Sequence, residues 1–66
     1  MQVKINGKSE EVQGPTVLDL LKAKGIDSHM VAIELNSVMV ERDQLAGTAL
    51  KDGDALEFLF YMGGGR

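Results

Sequence analysis

His29 stands beside Asp27 and Ser28, the three residue types of a nucleophilic triad. Side chains at successive positions do not converge on one reacting atom, so a surface loop histidine is the better reading. Metal chemistry is equally bare. There is no cysteine and no second histidine, and no carboxylates fall at ligand spacing. Asp52-Gly53-Asp54 has the outline of a calcium loop but lacks the ladder of ligands and the closing glutamate, and reads as a turn. Gly63-Gly64-Gly65 is no phosphate loop, because no helix follows to aim its N-terminus at an anion. What remains is the glycine run itself, between the apolar Phe58-Leu59-Phe60-Tyr61-Met62 and Arg66. Three glycines cannot be there to stabilise a fold, since glycine loses the most backbone freedom on ordering. They form a thin thread, and from Gly63 to Arg66 it reaches about 13 Å, at roughly 3.3 Å per residue. That suits entry into another protein's narrow pocket, although a frayed terminus would have the same composition. The chain reads as a substrate rather than an enzyme.

The body carrying this thread is small. At 66 residues it is one domain near the lower limit for an unstapled core, and without cysteine it must rest on apolar packing. The hydrophobic share of 44% and charged share of 26% are those of an ordinary globular protein. Seven basic against ten acidic residues leave a net charge of −3 with no basic cluster, which argues against a nucleic-acid partner. The apolar run from Leu56 to Met62 is broken by Glu57 and is far short of the roughly 20 residues of a membrane span. Met1 leads directly into strand-like alternation rather than a signal peptide, so a cytoplasmic location is expected.

Periodicity places the elements. Val3 and Ile5 alternate with Gln2, Lys4 and Asn6 in a half-buried first strand, and Asn6-Gly7 predicts a type I′ hairpin turn. A polar edge strand returns over Lys8 to Gln13 with Val12 inward, and Gly14-Pro15 ends it. Thr16 caps a short helix, Asp19 meets its positive end, Lys22 and Lys24 occupy its last turn, and Gly25 closes it. Val17, Leu20 and Leu21 form its buried face, with Ile26 following inward. Val31 to Leu35 and Val38 to Val40 pair about an Asn36-Ser37 turn, which puts Val31, Ile33, Leu35, Val38 and Val40 on the core side and leaves Ala32 and Met39 outside. A single helical turn over Asp43 to Ala46 precedes Leu50, which dips inward. After the Asp52-Gly53-Asp54 turn, Ala55 to Tyr61 is the strand richest in apolar residues and the candidate for the sheet centre, with Leu56, Phe58 and Phe60 inward and Leu59 and Tyr61 outward. One helix cannot cover both faces of four or five strands. The fold class is therefore α+β, a sheet with one face open, over residues 1–62, with 63–66 as a flexible glycine-rich tail.

In its strand order, single helix and glycine terminus the chain resembles the ThiS-type sulfur carriers of the ubiquitin-like β-grasp fold. The likeness runs through Asn6-Gly7, Thr16-Val17-Leu18-Asp19-Leu20-Leu21, Val31 to Arg42, Leu50-Lys51-Asp52-Gly53-Asp54-Ala55-Leu56-Glu57 and the closing glycines. The resemblance implies a mixed sheet with the first and last strands parallel at its centre. It also implies a function in thiamine biosynthesis. A ThiF-like adenylating enzyme, consuming ATP, activates the carboxylate of the terminal glycine; sulfur from a donor enzyme replaces AMP; and thiazole synthase takes sulfur from the resulting thiocarboxylate. The carrier binds no cofactor or metal, supplies no catalytic residue, and is expected to be a monomer when free. Gly65 would be the modified residue, Gly63 and Gly64 the tail, and Met39, Leu59, Tyr61 and Met62 the partner-binding patch on the open face. Arg66 departs from the family pattern of ending on glycine, so it is trimmed by a peptidase, is a cloning remnant, or leaves the chain inactive. The small subunit of molybdopterin synthase shares the fold and tail; a lysine-attached protein modifier and an interaction module with an idle tail are the other readings.

Overall fold

The computed structural model describes residues 1–61. The expected boundary at residue 62 and the tail over 63–66 lie outside the described residues. Five strands form one mixed sheet: β1 (Gln2–Ile5), β2 (Lys8–Glu11), β3 (Val31–Leu35), β4 (Val38–Val40) and β5 (Ala55–Phe60). Their spatial order is β2-β1-β5-β3-β4, with β1 parallel to β5 and every other pairing antiparallel. The last strand thus occupies the centre, where its apolar content requires it to be, and the polar β2 takes an edge.

Local chemistry sets each element. Asn6 and Gly7 have φ of 52° and 84°, and Asn36 and Ser37 have 51° and 72°, the paired positive values of a type I′ hairpin turn. The helix α1 (Val17–Lys24) opens on a reciprocal cap: the Asp19 N–H donates to Thr16 Oγ1 and the Thr16 N–H donates to Asp19 Oδ2, each at 3.2 Å. Such a cap contributes about 1 kcal/mol. Gly25, at φ 70°, ends the helix and donates to the Lys22 carbonyl.

The core lies between α1 and one face of the sheet. Val17, Leu20 and Leu21 of the helix meet Val3, Ile5, Val31, Ile33, Leu56 and Phe58 of the strands, with Val12, Leu45 and Leu50 closing the margins. Ile26, Leu35 and Val40 pack partly buried against this cluster. Leu45 joins the core although no helix or strand periodicity includes it. It is delivered by a 3-10 turn over Arg42–Gly47, longer than the single turn expected from Asp43, and it is 3% exposed.

Two residues expected on the core side are instead in solvent. Val38 is 66% exposed: it sits at the turn end of the outermost strand, paired with Leu35 on one side and open on the other. Phe60 is 57% exposed although it shares the face of Leu56 and Phe58 and meets the Phe58 ring edge-on at 6.4 Å. β1 turns away at Asn6-Gly7 while β5 runs on, so the strand outlasts its cover. Alternation selects the face correctly in both places, but burial needs something on top of it.

Candidate functional site: the open sheet face and the end of β5

The face opposite α1 carries Ala32 and Glu34 of β3, Met39 of β4, and Glu57 and Leu59 of β5, with Tyr61 just beyond. Register brings them together. Leu59 lies opposite Ala32, Glu57 opposite Glu34, and Met39 opposite Glu34 from the other side. Met39, Ala32 and Tyr61 line one shallow cavity of about 110 Å³, together with Arg42 and Ser28. Met39, Leu59 and Tyr61, expected as a docking patch, are each about half exposed and adjoin through Ala32. Their chemistry is apolar contact, bordered by the cross-strand pair Glu34 and Glu57, like charges set side by side at some cost to the sheet. Met62, Gly63, Gly64 and Gly65 lie outside the described residues.

The strand that leads to the glycines is held on both sides almost to its end. On the β3 side the Tyr61 N–H donates to the Met30 carbonyl at 3.1 Å. Met30 belongs to a 3-10 turn (Ser28–Met30) capped by Asp27, whose carboxylate accepts from the His29 N–H at 2.9 Å and meets the His29 ring at 3.2 Å. Those bonds, the backbone one foremost, hold the Asp27 carboxyl below the usual carboxylate range. His29 itself is well exposed, and among the described residues its ring pairs with the capping carboxylate of Asp27. On the β1 side the Asn6 side chain bonds the backbone of Phe58. Phe60, on the face that alternation gives it but exposed, adds an apolar ring on the opposite side, so the end of β5 is apolar on both sides. The signal for it was available in principle, since the Asn6-Gly7 turn limits how far β1 can accompany β5.

Among the described residues no three His, Cys, Asp or Glu side chains come together as metal ligands, and no helix is long and apolar enough to cross a membrane. Fold and site together define a ubiquitin-like β-grasp domain that offers an apolar face beside an apolar final strand.

The ThiS family model matches residues 3–65, and the chain belongs to that family. It is similar to the crystal structure of the thiamine biosynthesis protein ThiS from Geobacter metallireducens, at 42% identity and a TM-score of 0.83, covering 98% of this chain and all of that one. A solution structure of a thiamine biosynthesis protein from the same organism gives 41% identity and a TM-score of 0.80, covering 100% of this chain and 90% of that one. Two relatives named thiazole synthase also match, from Paramagnetospirillum magneticum at 39% identity and Magnetococcus marinus at 30%, over 98% and 100% of this chain. The chain spans about a fifth of the length of these curated relatives.

Proposed function

We propose that the chain is a sulfur carrier of thiamine biosynthesis that works through the carboxyl end of its glycine run. The observation that carries this reading is the ThiS family match, which runs to Gly65 and leaves Arg66 outside it. The thiamine biosynthesis structures support the same role, and the thiazole synthase relatives favour thiazole formation over molybdopterin synthesis as the destination of the sulfur.

The residues supply a scaffold and a nucleophile but no general acid or base. A ThiF-like enzyme contacts Met39, Leu59, Tyr61 and Met62 and receives Gly63, Gly64 and Gly65. The Gly65 carboxylate oxygen attacks the α-phosphorus of ATP, pyrophosphate leaves, and an acyl adenylate forms. Sulfide-level sulfur delivered by a donor enzyme attacks the acyl carbon, the bond to the phosphate oxygen breaks, and AMP leaves a thiocarboxylate, from which thiazole synthase takes the sulfur. Glycine suits this chemistry because it leaves the carboxylate unhindered on a backbone narrow enough to thread. The carrier binds no cofactor, acts in the cytoplasm, and is a monomer when free.

An arginine side chain does not fit a passage sized for glycine, so Gly65 becomes the working terminus once Arg66 is removed. Intact-mass spectrometry after incubation with ATP and the adenylating enzyme tests this. The form ending at Gly65 gains the mass of an adenylyl group, AMP less water, and then, with a sulfur donor, shows instead the gain of sulfur in place of oxygen. Equal modification of the form retaining Arg66 would refute the assignment.

A further inference from the structure

The side chain of Asn6 acts as one more residue of β1. β1 ends at Ile5, and the Asn6 N–H makes the last backbone bond to β5, donating to the Leu56 carbonyl at 2.9 Å. The next place on β5 is then held by the side chain: Asn6 Oδ1 accepts from the Phe58 N–H at 2.7 Å, and Nδ2 donates to the Phe58 carbonyl at 3.3 Å. One amide thus copies the donor and acceptor pair that a continuing strand would present, 52 residues away in sequence. The turn does not need that amide. At φ 52° the backbone would accept glycine as readily, so the asparagine side chain has a role separable from turn geometry.

From this geometry we infer that Asn6 is a positioning residue for the carboxyl end, the last hold on the β1 side of the strand that feeds the tail; the inference rests on the carrier reading above. From Phe58 to Gly65 is seven residues. Where β5 stops being held decides the point and direction from which the chain sets out toward Gly65. Loss of the clamp leaves β5 beyond Leu56 held from the β3 side, where the Tyr61 N–H still bonds the Met30 carbonyl, and the freedom that Phe58 gains must be removed again when the end enters an active site. The effect falls on binding, not on the reacting atoms, so it belongs in KM.

Asn6→Gly keeps the turn and removes the clamp, whereas Asn6→Asp keeps an acceptor for the Phe58 N–H and loses the donor to its carbonyl. The experiment measures amide exchange at Phe58 by NMR, and KM and kcat for pyrophosphate release by the ATP-dependent adenylating enzyme, below the melting temperature of every variant. For Asn6→Gly the Phe58 amide exchanges faster and KM rises about tenfold, the scale of ordering one backbone residue, at unchanged kcat. Asn6→Asp falls between this variant and the unsubstituted chain. A KM unchanged while Phe58 loses protection overturns the inference and leaves the carrier reading standing; unaltered protection at Phe58 overturns it too. Failure of the unsubstituted chain ending at Gly65 to be adenylated at all overturns the carrier reading instead, and the inference with it.

Discussion

Asn36 and Asp54 lock the β3-β4 turn onto the start of the central strand: the Asn36 amide donates to Asp54 Oδ1 at 3.0 Å. The same side chain accepts from the Ala55 N–H at 3.0 Å, and Asp54 Oδ2 accepts from the Lys51 N–H at 2.7 Å. Asp54 is only 7% exposed, a buried carboxylate with both oxygens occupied. Asn36→Gly retains the positive φ and removes two hydrogen bonds. We expect a loss of about 2 kcal/mol, read as a melting temperature lower by about 10 °C. A melt superimposable on that of the unsubstituted chain would show that the lock contributes nothing.

Leu56 tests the core. It is 1% exposed at the centre of the sheet, between β1 and β3. Truncation to alanine at such a site costs about 3 kcal/mol, against a total of about 3 to 10 kcal/mol for a domain of this size. Leu56→Ala should be partly unfolded at 37 °C by far-ultraviolet circular dichroism. A cooperative melt within about 1 kcal/mol of the parent would mean the core repacks around the loss.

The tail should be separable from the fold. In a chain ending at residue 65, Gly65→Trp abolishes adenylation, because the passage and the reacting carboxylate are crowded together, while thermal stability stays within about 0.5 kcal/mol. Retained adenylation would remove the reason for glycine at that position.

For the open face, Leu59→Ser, Tyr61→Ser and Met39→Ser each remove an apolar group that is already about half in water. Binding to the adenylating enzyme should weaken by about tenfold, roughly 1.4 kcal/mol, for the more central of them. Calorimetric titration with the enzyme is the measurement, and undiminished affinity in all three would move the interface elsewhere.

Asp27 gives a pH signature. Its carboxyl is held low by the His29 backbone N–H first and the His29 side chain second. A depressed carboxylate contributes its stabilisation fully above the ordinary aspartate value of about 3.9, and loses it as the pH falls through the lower folded-state value. An NMR titration should therefore find the Asp27 midpoint below the ordinary value. In His29→Ala the midpoint should return only part of the way, since the backbone donor remains. A midpoint at the ordinary value in the parent chain would mean that the cap is not populated in solution.

The parts of this protein legible in the sequence are those decided within a few residues. Asn6-Gly7 and Asn36-Ser37 make tight turns because positive φ is a local demand, and Thr16 with Asp19 starts a helix because both partners lie within one turn. Gly25 ends that helix for the same kind of reason. Alternation likewise put Val3, Ile5, Val31, Ile33, Leu56 and Phe58 on one face and Leu59 and Tyr61 on the other.

Tertiary structure decided what covers each face and what meets across distance. Val38 and Phe60 have the right parity and stay in solvent, because period-two patterning names a side of the sheet and not its neighbours. Leu45 enters the core only because a 3-10 turn carries it there. Asn6 reaches Phe58 across 52 residues and Asn36 reaches Asp54 across 18. A side-chain amide bonds whatever the folded chain sets before it, and that choice is made by strand order, which no local stretch of sequence encodes.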